Sequence, residues 1–122
     1  MLKLANLDYT TGAYTVEERE IRYRSSLSPQ WIKAAGLFDA FVAKAKEDSI
    51  DLFTTEKRGK IELSVPNETY HALNAELTAS LIEEWPFEID MMQELTENQA
   101  LCNILQNLAH DKTKDFLKKK NS

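Results

Sequence analysis

The densest set of side chains that could do chemistry is a group of six carboxylates in the second half of the chain. Oxygen ligands of this kind suit Mg²⁺ and Ca²⁺, so a metal-dependent hydrolase is one hypothesis for this segment. The spacing lacks the alternation and the central glycine of a calcium-binding loop, and no histidine lies nearby for a transition metal. We favour a solvated acidic surface and predict no metal and no cofactor. The six are Glu83, Glu84, Glu88, Asp90, Glu94 and Glu97.

The remaining reactive side chains form no catalytic grouping in the sequence. General acid–base catalysis needs a base close to a nucleophile or a second carboxylate, and neither His71 nor His110 has such a neighbour in the pattern. Cys102 lies beside an apolar helical stripe, as an inert buried thiol does. The three glycines are isolated, so no phosphate-binding loop is present. We expect a protein that is not an enzyme and has no catalytic residues.

Charge is distributed unevenly along the chain. Residues 1–60 carry ten Lys or Arg and nine Asp or Glu, residues 61–111 carry ten acidic and no basic residues, and residues 112–122 carry five lysines and one aspartate. A nucleic-acid partner is not expected, because phosphate binding depends on Lys and Arg. An acidic body with a basic end allows contact between copies, whereas a solvated acidic face with a frayed basic tail is the alternative.

Length and composition indicate one domain over residues 1–122. A chain of 122 residues can bury a core without disulfides, and its single cysteine cannot form an internal one. Apolar residues at 43% and charged residues at 29% are typical of a globular soluble protein. No apolar run approaches the roughly 18 residues of a membrane helix, and the start becomes polar too early for a secretory signal. We therefore expect a cytoplasmic protein without a membrane partner.

The first 25 residues are predicted to form a small antiparallel β-meander. Tyr9–Gly12 is a turn signal between strands at residues 4–8 and 13–18, and Ile21 and Tyr23 alternate with arginines in a half-buried strand.

A long helix follows and is predicted to be a main element of the core. Ser28 is a good N-cap, Pro29 suits the first helical position, and Leu27 and Ile32 occupy the positions of a hydrophobic staple. The apolar residues at helical spacing are Trp31, Ala34, Ala35, Phe38, Phe41, Val42 and Ala45.

Residues 50–65 are predicted to form a central hairpin. Ile50 and Leu52 alternate at one end, an apolar alternation over residues 61–65 follows, and residues 54–60 form the polar connection. A short helical turn at Ile50–Phe53 is the competing interpretation.

Two more helices are predicted in the second half. Asn67 caps the first, whose stripe of Tyr70, Leu73, Leu77 and Leu81 continues to Trp85, where Pro86 ends the helix. Thr96–Gln99 matches a capping box that opens the second, with an apolar face from Leu101 to Leu108 and a break at His110–Asp111. Phe116 and Leu117 could then dock a last short helix ahead of the basic tail. The whole predicts an α+β fold with three main helices, an N-terminal meander and a central hairpin, the helical core spanning residues 28–111.

The stretch from Asn74 to Leu117 resembles the tail assembly chaperones of long-tailed, non-contractile phages, the lambda G-protein type. The motif is a helix that ends in Leu81-Ile82-Glu83-Glu84-Trp85-Pro86, an acidic-apolar connection, and Leu95-Thr96-Glu97-Asn98 at the start of a leucine-rich helix. The segment Leu7–Val16 also looks like the N-terminal hairpin of the family, whereas residues 50–65 match nothing in its pattern.

The resemblance implies a non-catalytic function in the cytoplasm of an infected cell. Such a protein binds the tape measure protein, keeps its long apolar helix soluble and helps to recruit tail tube protein, and it is absent from the mature virion. The resemblance also implies self-association and, in many such families, a longer frameshifted product. The alternative is an acidic adaptor, inhibitor or antitoxin-like protein that binds a basic partner.

The partner-binding surface is predicted on apolar residues that the helical stripes leave over and on the basic end of the chain. These residues are Phe87, Met91, Met92, Lys118, Lys119 and Lys120.

Overall fold

A computed structural model describes residues 1–4, 9–10 and 12–121, with only the backbone described at residues 9–10 and 119–121. Within these residues the class is the predicted α+β fold, with a meander at the N-terminus, a central hairpin, and four helices in place of the three main ones expected. In chain order the elements are β1 (Tyr9–Thr10), β2 (Ala13–Val16), β3 (Arg19–Tyr23), α1 (Pro29–Glu47), β4 (Phe53–Arg58), β5 (Ile61–Pro66), α2 (Glu68–Ala79), β6 (Ile82–Glu84), α3 (Met91–Glu97) and α4 (Gln99–Asn121).

The N-terminal strands belong to a four-stranded antiparallel sheet in the order β1-β2-β3-β6. Tyr9 and Thr10, predicted as part of a turn, already pair with β2, and the reversal falls next to Gly12, whose φ of 85° suits a residue without Cβ. Of the strand predicted at residues 4–8, positions 5–8 lie outside the described residues. The meander is otherwise the one that the alternation predicts.

The core lies between this sheet and helices α2, α3 and α4. Tyr14, Val16, Ile21 and Tyr23 project from β2 and β3 and are fully buried. They meet side chains from the second half of the chain in one apolar cluster, which includes Ala75, Leu81, Ile82, Leu95, Leu101, Cys102, Leu105, Leu108 and Ala109. Alternate residues of two strands therefore pack on one face of each of three helices.

Amide and hydroxyl side chains connect α2 to α4. The Asn74 amide of α2 donates to Gln99 Oε1 over 2.9 Å, and Gln106 of α4 donates to Asn74 Oδ1 over 2.8 Å and to Thr78 Oγ1 over 3.0 Å. Asn74 and Thr78 are buried, so water cannot bond to their polar atoms. These side-chain hydrogen bonds satisfy those atoms instead.

Helix α1 is not the core element that its apolar spacing predicts. The Ser28 cap is confirmed, because its hydroxyl accepts from Trp31 N–H over 3.4 Å, with Pro29 at the first position. Ala45, however, is the only buried residue of the helix, and the staple residues Leu27 and Ile32 are both about half exposed. Most of the wide apolar face is therefore left outside the core.

The central hairpin is confirmed, but it is shifted along the chain. Ile50 and Leu52 precede the first strand, the predicted connection forms β4 itself, and the turn falls at Gly59, whose φ is 65°. The two strands form a sheet of their own, and nearly every residue in them is exposed. We refer to residues 27–66, which comprise α1, its connection and this hairpin, as the arm.

The second long helix is shorter than predicted. Asn67 caps it as expected, accepting from Tyr70 N–H over 3.2 Å, but α2 ends at Ala79. Ile82–Glu84 then forms β6, which pairs with β3, so Trp85 follows a strand and does not end a helix. The step from Leu81 to Trp85 matches helical spacing, but pairing with β3 and burial of Ile82 decide the conformation.

The prediction that Thr96 caps a helix is wrong. Thr96 lies inside α3, where its hydroxyl donates to Met92 O, and Asp90 caps that helix. Asn98 separates α3 from α4 and accepts from Leu101 N–H over 3.3 Å. Helix α4 continues without a break to Asn121, so the predicted last short helix and frayed tail are replaced by one long helix.

We expect Asn98→Ala to lower the free energy of unfolding by about 1–3 kcal/mol, because a buried side chain that caps α4 is removed. The same change also removes amide donors to Leu2 O and to Glu94 Oε1. Urea unfolding followed by circular dichroism measures the effect. Asn107→Ala, an exposed asparagine of the same helix, is the control and should be close to neutral. Equal losses in the two variants would contradict the cap assignment.

Candidate interaction surface

Exposed large apolar side chains are concentrated in the arm. Eight of those in the described part of the chain lie between residues 27 and 63: Leu27, Ile32, Leu37, Phe41, Ile50, Phe53, Ile61 and Leu63. The apolar core cluster, in contrast, has no member between Tyr23 and Ala75, and from that stretch Trp31 alone packs against its edge. Concentrations of exposed apolar surface mark interaction sites in soluble proteins.

Helix α1 is bordered by shallow apolar grooves along its length. The groove between α1 and α2 has a volume of about 360 Å³ and is lined by Ala34, Leu37, Phe38, Phe41, Leu73 and Leu77, with Glu76 as its one charged residue. A second groove of about 330 Å³ shares Leu37 and Phe41 and runs on to Ile50, with Lys44 and Asp48 at its rim. Because the two grooves share residues, the apolar surface is continuous along the helix.

The end of α1 sets the direction in which the chain leaves the helix. Ser49 follows the C-cap with a φ of 56°, and Ile50 N–H donates to Ala45 O over 2.8 Å. This is the Schellman arrangement, in which an apolar contact accompanies the reversal. It brings Ile50 back beside Ala45, and so extends the apolar surface towards the hairpin.

Aromatic contacts and a cap hold the arm on α2. The ring of Tyr70 packs edge-on against Phe38 at 5.9 Å between centroids, and it lies tilted against the ring of Phe53 at 5.3 Å between centroids. Asn67 N–H donates to Leu52 O over 3.0 Å. The arm is therefore fixed mainly along one side, and its opposite side faces solvent.

The predicted apolar site residues lie elsewhere, against the core. Phe87, Met91 and Met92 are half-buried and pack against the apolar cluster. Phe87 stacks edge-on with Trp85 at 4.9 Å, and the Trp85 indole N–H donates to Ile89 O over 2.9 Å. The structure thus places these three residues at the edge of the core, where each side chain is only partly exposed to solvent.

The basic end of the predicted surface is part of α4. Lys118 is exposed on this helix, and positions 119 and 120 continue it, their side chains lying outside the described residues. Earlier in the same segment, Lys112 is half-buried, where its ammonium donates to Tyr23 O over 3.1 Å and lies 5.4 Å from the ring centroid of that tyrosine. Lys112 of the basic segment therefore stabilises the fold.

The carboxylates separate into one buried and five exposed groups. Glu94 is buried and accepts from Leu2 N–H and Asn98 Nδ2, whereas Glu83, Glu84, Glu88, Asp90 and Glu97 are exposed. Among the residues that the structure describes, no three or more His, Cys, Asp or Glu side chains come together as metal ligands would.

The cysteine is enclosed in the core. Cys102 is fully buried, its thiol donates to Leu95 O over 3.2 Å, and burial raises the pKa of the thiol above its ordinary value. It is therefore protonated at neutral pH, which accords with the predicted inert thiol.

Helix α4, the longest in the chain, is predominantly polar beyond Ala109. Within the described residues, no helix combines the length and apolarity that crossing a bilayer requires.

Comparison of the chain with protein-family models, with curated proteins and with solved structures finds no match. The interpretation of the surface therefore depends on the geometry of the arm and on the residues of the motif. In that motif, Trp85 follows a strand and Thr96 lies inside a helix, which differs from the helical context on which the resemblance was based.

The arm surface was missed at the sequence level because its residues were assigned to the core. A signal was nevertheless present, since the apolar positions of α1 cover more of the helix than one packing contact can bury. An apolar face of that width is typical of a helix contacted from two sides.

We expect Leu37→Ala to change the free energy of unfolding by less than about 0.5 kcal/mol, because 64% of this side chain is exposed. Leu105→Ala, a change of the same chemistry at a fully buried position, should cost about 2–5 kcal/mol. Chemical unfolding at a dilute protein concentration of about 1 µM measures both for the single chain. Comparable losses would place α1 in the core.

The position of Phe87 leads to a second expectation. Phe87→Ala should lower the melting temperature, because it removes the contact with Trp85 and packing at the core edge. Differential scanning calorimetry measures the change, with Phe116→Ala on the exposed side of α4 as control. An unchanged melting temperature would instead show that Phe87 does not stabilise the core and is available on the surface for a partner.

Proposed function

We propose that this chain is a phage tail assembly chaperone that binds the tape measure protein through the arm. It keeps the apolar helix of that client soluble and helps to recruit tail tube protein during tail assembly, and it does so without catalysis. The observation that carries the proposal is the continuous apolar surface on α1, which lies outside the core of the chain.

The shape of this surface suits a helical client. An amphipathic or apolar helix binds a protein by laying its apolar side chains into a groove, and the groove between α1 and α2 is lined by Leu37, Phe38 and Leu73. Glu76 is the one charged residue at that groove, so a client helix can bury apolar side chains there without leaving many charges unpaired.

The negative charge of the rest of the molecule suits a chaperone that must not aggregate. The net charge of −5 lies entirely within residues 67–122, and the exposed carboxylates around β6 and α3 are part of it. Like charges on neighbouring complexes repel one another, which opposes aggregation while the arm holds an apolar client. The acidic body and the apolar arm would thus act together.

Co-expression with a tape measure protein encoded by the same phage tests the proposal. We expect the chain to co-purify with the client and to increase its soluble fraction. Leu37→Lys should reduce the recovered complex at least about tenfold, because it places a charge in the apolar groove.

Leu117→Lys is the matched control, since Leu117 is an exposed helical leucine on α4, outside the arm, and it should retain the complex. A client that is equally soluble alone and never co-purifies would refute the chaperone function. A partner that is basic, and whose binding is lost at high salt, would favour the acidic adaptor instead, with the carboxylates around Glu88 as its surface.

A further inference from the structure

We infer that the two grooves along α1, together called the α1 groove, select an amphipathic helix that carries a Lys or Arg at the end next to Glu76. The inference rests on the proposed function, which it deepens by naming the kind of client segment that binds. Three observations support it: the one-sided stripe that lines the groove, the helical backbone of its walls, and the carboxylate of Glu76.

The stripe that lines the α1 groove lies on one side of the helix. Its members recur at steps of three and four residues: Leu37, Phe41, Lys44 and Asp48. On a helix that turns about 100° per residue, these side chains fall within about 60° of one another, whereas Ile32 lies on the opposite side. From Ala34 to Asp48 the stripe is about 21 Å long, which matches a client helix of about four turns.

The walls of the groove offer no backbone hydrogen bonds to a partner. The groove lies between α1 and α2, and N–H and C=O groups in the interior of a helix are already bonded within that helix. An extended segment that entered would lose its bonds to water and find no replacement for them. A helix satisfies its own backbone and presents only side chains, so the groove favours a helical segment.

Glu76 is an exposed carboxylate on the edge of this apolar groove. Among the salt bridges of the described residues none involves Glu76, whereas Lys44 and Asp48 pair with each other over 3.9 Å. A helix that covers the groove takes water away from Glu76, which is unfavourable unless a cation replaces that water. A Lys or Arg of the client supplies the cation, and an acidic residue there would be repelled.

The charges of the groove are placed so that they orient the client. Glu76 lines the groove that starts at Ala34, whereas the balanced pair of Lys44 and Asp48 lies on the groove that runs on to Ile50. One end of the α1 groove is therefore negative and the other is neutral. A client helix with its basic residue at the negative end binds best in a single direction.

Two designed peptides of about 16 residues test the inference with the purified full chain. Both are helical, with leucines at steps of three and four residues, and they differ only in carrying lysine or glutamate beside the leucine stripe at both ends. Either direction of binding then places one test charge at Glu76. Fluorescence anisotropy of labelled peptides measures the two dissociation constants. We expect the lysine peptide to bind at least about fivefold more tightly, as a partly exposed ion pair allows, and Glu76→Lys to reverse the preference.

Glu88→Lys is the matched control, because it changes the net charge equally at an exposed carboxylate outside the groove. It should keep the preference for lysine, and a lysine peptide with its leucines scrambled should bind at least about tenfold more weakly. Circular dichroism shows whether each variant is folded. If Glu76→Lys is not, Glu76→Gln decides, and it should bind the two peptides equally.

Three results would overturn the inference. One is binding of neither peptide, as a groove filled by a second copy of the chain would give. Another is a preference that Glu76→Lys leaves unchanged, and the third is a preference that Glu88→Lys removes equally. Because the peptides come from no phage protein, their selection can succeed while the tape measure protein fails to co-purify, and the reverse. The two proposals are therefore judged separately.

Discussion

The pairing of β3 with β6 is the interaction on which the rest of the structure depends. Tyr23 and Ile82 are register partners, Arg24 N–H donates to Leu81 O over 2.6 Å, and the Arg24 guanidinium donates to the carbonyls of Ser80 and Ile82. These bonds join the N-terminal meander to the helical half of the chain. They also bring together Arg24 and Leu81, the two ends of the segment that comprises the arm and α2.

Polar side chains then fix how the core helices sit against one another. Apolar packing alone tolerates sliding between helices, whereas the bonds of Gln106 to Asn74 and Thr78 require one register of α4 on α2. Glu94 and Asn98 hold Leu2 in the same way at the other end of α3. The apolar core is thus formed almost entirely outside the arm, and most of the exposed large apolar side chains among the described residues lie in the arm. A molecule of this design can exchange partners at the arm while its core stays unchanged.

Local sequence patterns correctly predicted those elements that depend only on interactions between residues close in the sequence. The Ser28 and Asn67 caps and the existence of the central hairpin belong to this group, because capping and alternation act within a few residues. The strand at Ile82–Glu84 could not be predicted in this way, since its partner lies some sixty residues earlier and overrides a helical spacing. The core role assigned to Phe38 and Phe41 was wrong for a related reason: spacing shows that a helix has an apolar face and leaves open which molecule covers it.

The separation of the arm from the body also bears on how the chain reaches its native state. The β3–β6 pairing must close a loop of nearly sixty residues, and loop closure of that length slows folding through lost chain entropy. Helix α1, the hairpin and α2 form from contacts close in sequence, and they shorten the disordered chain that remains to be closed. The arm and α2 together would then act during folding as a structured spacer between Arg24 and Leu81, which gives the arm a kinetic role although it adds almost nothing to the finished core.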